Sequence, residues 1–357
     1  MSFKCGIVGL PNVGKSTLFN ALTKSKNAQA ANFPFCTIEP NIGVVTVPDG
    51  RLEKLSKIAR SEKIIPTYIT FVDIAGLVAG ASKGEGLGNK FLANIREVDA
   101  IIHMLRCFDS SEIQNVNKTI DPIRDLEIVE TEMMISDLES LEKRMTKNKK
   151  VELSKENLEI LDFVYRDIKN GIKPKDLEKK FEKKLIKNLG ILSTKPRILV
   201  CNVDEESLAE GNVYSNALKD KFNEDTIILA SAEIEQQITE LNDNEANDFM
   251  KEIGIKESGL DQIIKASYKI LNLSTYFTVG PKETHAWTIE KNCKAVDAAE
   301  VIHSDFKKGF IKAEVISYLD YISFNGEAGA RDNGKLKIEG KDYQVADGDV
   351  LHFRFNT

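Results

Sequence analysis

The first two-thirds of the chain alternates short apolar runs with amphipathic helical segments. This alternation is typical of a doubly wound α/β fold, in which helices cover both faces of a mainly parallel sheet. The runs are apolar nearly throughout, as expected for strands that are buried on both faces. The predicted strands are residues 3–8, 67–73, 100–105, 197–202 and 226–230. Such a sheet holds its ligand at the carboxyl ends of the strands.

Two further regions depart from this pattern. Residues 123–195 place apolar side chains at a spacing of three to four, as in Leu126, Val129 and Met133, which predicts an inserted helical hairpin or short coiled coil. From about Thr278 the chain changes to short strands and glycine-containing turns, which predicts a small α+β domain. The predicted domains are residues 1–122 with 196–277, the insertion 123–195, and the C-terminal domain 278–357.

Composition narrows the class of protein. The 357 residues are 42% hydrophobic and 29% charged with a net charge of -6, which is typical of a globular protein and excludes a general positive field for coating DNA or membranes. The five cysteines are scattered without a C-x-x-C pair, so neither a disulfide framework nor a zinc site is predicted. No run approaches the roughly 18 apolar residues that span a bilayer. The first residues pass directly into a strand without a secretion leader, so we expect a cytoplasmic protein with no membrane or DNA partner.

The most specific motif follows the first strand. Residues 9–16 read G-L-P-N-V-G-K-S, match G-x-x-x-x-G-K-[ST], and precede a helical segment. In this context backbone N–H groups and the helix N-terminus surround an anion, Lys15 reaches the terminal phosphates, and the Ser16 hydroxyl binds magnesium. The motif therefore predicts a P-loop that holds a nucleoside triphosphate with Mg²⁺.

A second motif, D-x-x-G, lies at the end of the next long strand. Asp73 can hold magnesium through water, and the Gly76 backbone N–H can sense the γ-phosphate. The glycine-rich stretch that follows would not form a stable helix alone, which predicts a mobile switch. Thr37, between the P-loop helix and the second strand, can complete the magnesium shell; an ordinary solvent-facing threonine is the alternative.

Base recognition is expected from two later loops. Proteins that read guanine use N-K-x-D, whose aspartate accepts hydrogen bonds from the guanine N1 and exocyclic amine. Residues 202–205 read N-V-D-E, so Val203 removes the lysine and Glu205 replaces the aspartate. This change favours ATP over GTP. Ser231 and Ala232, after the last strand of the set, can supply backbone contacts to the base.

These motifs, with F-P-F-C-T-I-E-P-N at residues 33–41 and D-I-A-G-L-V at 73–78, resemble the YchF/Ola subfamily of Obg-like P-loop ATPases. The resemblance extends over essentially the whole chain, including Y-F-T-V-G at 276–280 and D-G-D-V at 347–350. It implies a G domain of GTPase fold, a coiled-coil insertion and a C-terminal TGS domain of β-grasp fold. It also implies hydrolysis of ATP in preference to GTP and association with the ribosome, where we expect the large subunit to be the contact.

The resemblance also implies a set of site residues. By what the family does, Ser16 and Thr37 bind magnesium directly, and Asp73 supports the ion from outside its first shell. The residues it implies for the nucleotide are Asn12, Val13, Gly14, Lys15, Ser16 and Thr17 at the phosphates and Asn202 and Val203 at the base. The motifs themselves add Gly76 at the γ-phosphate and Ser231 and Ala232 at the base. RNA contact through the TGS domain or the insertion would need local patches, for which the candidates are Lys307, Lys308, Lys312 and the hairpin tip at 147–150.

The catalytic residues predicted are Lys15, which stabilises developing charge, and Asn115. Leu77 follows D-x-x-G where many GTPases carry a water-orienting glutamine, and its aliphatic side chain predicts slow hydrolysis. The family often carries a histidine after R-C-F; the matching position is Asn115, which can orient water without serving as a base. Asn12 is a candidate ligand for a monovalent cation such as K⁺, with a loop-capping role as the alternative.

Two other functions remain open from the sequence. One is a conventional GTP-specific switch, if the base loops accept guanine despite Glu205. The other is a nucleotide-gated binding module with negligible turnover, which Leu77 and Asn115 would suit. Relative nucleotide affinity separates the first from an ATPase, and phosphate release separates the second.

Overall fold

The computed structural model describes residues 3–25, 41–74, 87–110, 119–147, 154–174, 177 and 180–356. Its strands are β1 Lys4–Val8, β2 Ile42–Thr46, β3 Lys63–Ile65, β4 Tyr68–Asp73, β5 Ala100–Arg106, β6 Arg197–Asn202, β7 Thr226–Ala230, β8 Leu273–Val279, β9 Glu283–Glu290, β10 Phe310–Ile316, β11 Lys337–Glu339 and β12 Val350–Phe355. Its α-helices are α1 Lys15–Lys24, α2 Gly50–Ala59, α3 Leu87–Glu97, α4 Pro122–Lys147, α5 Lys155–Lys169, α6 Lys183–Leu189, α7 Val213–Lys221, α8 Ala232–Glu240, α9 Asp243–Glu252, α10 Gly259–Ile270, α11 Ala295–Ile302, α12 Ser304–Lys308, α13 Tyr318–Ser323 and α14 Glu327–Asp332. Among these described helices, none combines the length and the apolar character needed to cross a membrane.

The first sheet has the strand order β2-β4-β1-β5-β6-β7. Strand β2 is antiparallel to β4, and the other neighbouring strands are parallel. Every residue of β5 and β6 is buried, as expected for central strands with helices on both faces. The prediction of a doubly wound, mainly parallel sheet is confirmed, and its five predicted strands match β1, β4, β5, β6 and β7 to within one residue at either end.

The inserted segment is helical, as predicted. Helices α4, α5 and α6 enclose an apolar cluster that includes Leu141 and Leu161. The insertion is also fixed to the first sheet, because the buried Asp137 carboxylate on α4 accepts the N–H groups of Leu192 at 2.9 Å and Ser193 at 2.8 Å. These two residues lie just before β6, so the hydrogen bonds tie the returning chain to α4.

The second sheet has the order β11-β10-β12-β8-β9-β3. Helix α11 packs on one face around Tyr276, and α2 with α13 packs on the opposite face around Phe277. A helix laid across a mixed sheet is the β-grasp arrangement that the resemblance implied. Strand β8 begins at Leu273, so the predicted domain limit at 277 falls within a strand; the domain limits stay predictions.

Strand β3 and helix α2 come from an unexpected part of the sequence. Both belong to residues 47–67, which we call the hairpin insert because they interrupt the antiparallel β2-β4 hairpin of the first sheet. Strand β3 pairs in parallel with β9, and the buried Leu55 of α2 packs with Phe277. The Arg51 guanidinium lies 5.1 Å from the centre of the Phe277 ring and pairs with Asp347 at 2.7 Å. The two sheets are therefore joined by a segment that leaves the first sheet and returns to it.

Candidate nucleotide site

The P-loop connects β1 to α1 at the carboxyl edge of the first sheet. Gly9 has φ +153°, and a Cβ there would lie 2.4 Å from the Met104 carbonyl oxygen. Gly14 has φ +99°, and a Cβ there would lie 2.6 Å from Asn202 Nδ2. These contacts show why the motif needs glycine at both positions. Helix α1 starts at Lys15, and its N-cap residue, Gly14, has no side chain with which to cap the helix, so the first N–H groups of α1 can face an anion.

Lys15 is held inside the P-loop. Its side chain is buried, and Nζ donates a hydrogen bond of 2.8 Å to the Leu10 carbonyl oxygen. Burial lowers the pKa of Lys15 to about 8, while the nearby Asp73 carboxylate acts in the opposite direction. An incoming phosphate would favour the ammonium form by supplying negative charge at close range. This position therefore suits the phosphate contact predicted for Lys15.

Ser16 and Asp73 meet beside Lys15. The Ser16 hydroxyl donates to Asp73 Oδ2 at 2.9 Å, and the Asp73 N–H donates to the Asn41 carbonyl at 2.9 Å. The other carboxylate oxygen, Asp73 Oδ1, is buried and has no hydrogen-bond partner among the described residues. A buried carboxylate oxygen without a partner is costly, and a hydroxyl beside a carboxylate is an oxygen donor set that Mg²⁺ prefers. These residues fit a magnesium ion.

The rest of the magnesium shell must come from elsewhere. The described residues contain no group of three or more His, Cys, Asp or Glu side chains that could hold a metal. This suits Mg²⁺ in nucleotide sites, where phosphates and water supply most ligands. Thr37, the other predicted ligand, lies outside the described residues, as do Gly76 and Asn115.

Asn202 joins the P-loop to the loop after β7. Its side chain is buried; Nδ2 donates to the Val13 carbonyl at 2.9 Å, and Oδ1 accepts from the Ala232 N–H at 3.0 Å. We call Ser231 and Ala232 the base loop, after the role that the sequence predicts for them. Because both ends of the Asn202 amide are used in these bonds, its observed role is to hold the two loops together.

Val203 is placed differently from Asn202. Its side chain is buried in an apolar cluster with Leu105 and Leu199, and its N–H donates to the Ala230 carbonyl at 2.9 Å. Position 203 thus carries a valine that faces the core, where guanine-binding proteins carry a lysine that flanks the base. Glu205 is exposed and begins a short 3-10 helix in which Asp204 serves as the N-cap.

One buried residue near the base loop was not found from the sequence. Glu235 on α8 is fully buried, and its carboxylate accepts the N–H groups of Gly259 at 2.6 Å and Leu260 at 3.3 Å. The only sequence feature that could have indicated this is its position beside Ile234, on the side of α8 that carries the apolar residues. This feature is a weak indication of burial, because an acid next to an apolar residue in an amphipathic helix is usually exposed.

The three lysines named as candidates for RNA contact in the C-terminal domain each lie beside acidic side chains. Lys307 pairs with Asp297 at 2.9 Å and with Glu300 at 2.6 Å. Lys308 and Lys312 likewise lie within 4 Å of carboxylates, those of Asp305 and Glu314 respectively. Their positive charge is offset locally because acidic residues share the same surface. The side chains of the hairpin tip at 147–150 lie outside the described part of the chain.

Two family descriptions match separate parts of the chain. Residues 4–135 match a family described as "50S ribosome-binding GTPase". Residues 273–356 match YchF-GTPase_C, described as "Protein of unknown function (DUF933)". The first match contains the P-loop with Lys15, Ser16 and Asp73, and the second contains most of the second sheet.

Similarity to individual proteins extends from end to end. The ribosome-binding ATPase YchF of Haemophilus influenzae is 51% identical over 366 aligned positions, covering 100% of both chains. The ribosome-binding ATPase YchF of Bacillus subtilis is 47% identical, again over 100% of both chains. The solved structure of the Schizosaccharomyces pombe YchF GTPase is 38% identical and has a TM-score of 0.87, covering 99% of this chain and 98% of that one.

Proposed function

The chain belongs to the YchF family of P-loop proteins, and we propose that it is a magnesium-dependent ATPase that associates with the ribosome. The observation that carries this proposal is the arrangement of Lys15, Ser16 and Asp73 around the N-terminus of α1. A cation, a hydroxyl and a carboxylate in this arrangement would suit a triphosphate with Mg²⁺. The end-to-end similarity to ribosome-binding ATPases supports the same conclusion.

Phosphate binding would use the P-loop and the start of α1. We assign it to Asn12, Val13, Gly14, Lys15, Ser16 and Thr17, with Gly76 at the γ-phosphate. Ser16 and Thr37 would hold magnesium directly and Asp73 would hold it through water. When bound, the ion neutralises charge that develops on the phosphates. Asn12, which has φ 62°, remains a candidate ligand for K⁺.

The proposed preference for ATP over GTP rests on residues 202–205 and on the base loop. Val203 is buried, and Glu205 is exposed in a short 3-10 helix. The lysine and aspartate that read guanine therefore have no equivalents at residues 203 and 205. The buried Asn202 bridge would keep the backbone of Ser231 and Ala232 beside the base. We infer that GTP binds more weakly.

Hydrolysis is proposed to be slow. Leu77 has no polar group for orienting the attacking water, and Asn115 can orient one without accepting its proton. Arg106 supports the loop that leads to Asn115, because its guanidinium donates to the carbonyls of Phe108 at 3.2 Å and Ser110 at 3.3 Å. Turnover would rise only when a partner completes the site.

The partner is proposed to be the ribosome, on its large subunit, which implies a cytoplasmic location. The insertion and the second sheet are the surfaces for this contact. Since Lys307, Lys308 and Lys312 are paired with acids, we do not assign RNA binding to those three side chains. RNA contact through other parts of the insertion or the TGS domain remains part of the proposal.

Calorimetric titration with non-hydrolysable ATP and GTP analogues in magnesium tests the nucleotide site. We expect the ATP analogue to bind at least about tenfold more tightly, which is about 1.4 kcal/mol. Lys15→Met should weaken ATP binding by at least about 100-fold, since it removes a buried phosphate-binding cation. Lys24→Met, which changes an exposed lysine at the other end of α1, should leave it unchanged. Equal affinities, or tighter GTP binding, would overturn the base preference.

A second measurement tests the enzyme and its partner. Phosphate release from ATP is followed with and without ribosomes, and co-sedimentation is measured with 70S particles and with separated subunits. We expect slow release that ribosomes accelerate, and binding to the large subunit. Tight ATP binding with no release under either condition would instead establish a binding module.

A further inference from the structure

The carboxylate of Glu235 connects two helices of the first domain. It lies in the first turn of α8 and accepts the first N–H groups of α10, those of Gly259 at 2.6 Å and Leu260 at 3.3 Å. A carboxylate at a helix N-terminus interacts favourably with the N–H groups and with the helix dipole. The side chain is fully buried, so water does not replace these bonds.

The contact leaves no room for a side chain at Gly259. A Cβ on Gly259 would lie 2.8 Å from Glu235 Oε1 and 2.7 Å from the Ala230 Cβ. The N-terminus of α10 therefore rests on Ala230, the last residue of β7. Glycine at this position allows the close approach, and the carboxylate maintains it.

Ala230 and Glu235 stand on either side of the base loop. The Glu235 N–H donates to the Ser231 carbonyl at 2.9 Å, and the Ala232 N–H donates to Asn202 Oδ1 at 3.0 Å. Asn202 in turn contacts the P-loop. A continuous set of hydrogen bonds therefore runs from α10, through Glu235 and the base loop, to the P-loop.

We propose that Glu235 is a positioning residue for nucleotide binding: by holding the N-terminus of α10 against Ala230, it fixes the backbone of the base loop. This inference rests on the proposed function. Among the described residues, Glu235 contacts the base loop and α10 and none of the residues assigned to the phosphates, so we infer that it acts on the nucleoside part of the ligand. Loss of its contact should weaken binding of ATP and leave binding of a base-free polyphosphate unchanged.

The surroundings of Glu235 make this role dependent on pH. Glu235 borders a cavity of about 280 Å³, and the other ionisable side chains that line it are acids, Asp243 on α9 and Asp261 on α10. Burial raises the pKa of Glu235 to about 7, its two backbone hydrogen bonds oppose the rise, and Asp261 adds to it. The ionised form is the one that accepts both N–H groups with full charge. The contribution of Glu235 to ATP affinity should therefore rise as the pH increases through about 7.

The test compares Glu235→Gln with the matched control Glu240→Gln, which changes an exposed acid at the end of the same helix. Dissociation constants are measured for a non-hydrolysable ATP analogue and for tripolyphosphate, both with saturating magnesium, at about pH 6 and about pH 8. The ratio of wild-type affinity to Glu235→Gln affinity for the ATP analogue should rise up to about tenfold between these values, as the ionised fraction of Glu235 rises; the titration of Lys15 is common to both proteins and cancels in this ratio. At the higher pH, Glu235→Gln should bind the analogue about fivefold to tenfold more weakly than wild type, because a neutral amide cannot replace the carboxylate.

The same titrations contain the outcomes that would overturn the inference. It fails if Glu235→Gln keeps the wild-type affinity and pH slope, or if it weakens tripolyphosphate as much as the ATP analogue, which is the result of general destabilisation. It also fails if Glu240→Gln reproduces the effect. Failure of the proposed function has a different signature, since wild-type protein would then bind neither nucleotide nor tripolyphosphate.

Discussion

Leu55→Ala should destabilise the second sheet, although Leu55 lies between two strands of the first. Leu55 is fully buried in an apolar cluster with Phe277 and Val350. Truncation of a buried leucine to alanine removes its transfer free energy and leaves a cavity, at a cost of about 2–5 kcal/mol. If the second sheet opens as its own cooperative unit, a loss of about 2 kcal/mol makes opening about 30-fold more frequent, so amide exchange in β8 and β9 should be about 30-fold faster. A larger loss of stability would speed exchange further.

Hydrogen exchange followed by mass spectrometry measures this effect strand by strand. Exchange in the central strands β5 and β6 should stay close to wild type, because Leu55 is not part of their core. Leu319→Ala is the matched control, since Leu319 lies in α13 beside the same sheet but is 73% exposed. Unchanged exchange in β8 and β9, or an equal change in β5 and β6, would refute the assignment of the hairpin insert to the second sheet.

Two other substitutions test contacts of the first domain. Asn202→Ala breaks both hydrogen bonds by which this buried side chain joins the P-loop to the base loop, so calorimetry should show ATP binding at least about tenfold weaker; a change of less than about threefold would contradict the bridging role. Glu130→Gln removes the charge that Arg197 and Lys173 share and should lower the free energy of unfolding in urea by about 2 kcal/mol, between the costs of breaking an exposed and a buried pair, because the cluster is partly buried. The control Glu127→Gln affects an exposed pair and should cost less than about 1 kcal/mol; equal losses in both variants would show that burial does not set the cost.

The sequence predicted those features that depend on residues close together along the chain. The strands of the first sheet are runs of apolar residues because helices cover both faces, and β6 and β7 were predicted at their observed limits. The P-loop was equally clear, since its glycines are required by contacts within a few ångströms of the backbone. Lys15, Ser16 and Asp73 could be placed together because the carboxyl ends of parallel strands meet at one edge.

Contacts between residues far apart in the sequence could not be predicted, because no pattern of neighbouring residues indicates them. Strand β3 is only three residues long, and Ile64 within it is 47% exposed, so it lacks the alternating pattern of a strand. Its partner β9 lies more than 200 residues away. Arg51 and Asp347 are separated by 296 residues and look like ordinary surface charges. Glu235 was missed for the same reason, because only the fold shows that α10 begins against it.

The hairpin insert gives these distant contacts a common place in the fold. Strands β2 and β4 pair without interruption from Ile42 opposite Val72 to Thr46 opposite Tyr68. At one end of this ladder, Asp73 Oδ2 accepts a hydrogen bond from the Ser16 hydroxyl, and Asp73 Oδ1 is the buried oxygen that would suit magnesium. At the other end, the chain leaves to form α2 and β3 within the second sheet. The nucleotide site and the C-terminal domain are thus connected by one continuous hairpin, through which a rearrangement of the second sheet that moves α2 would act on this ladder.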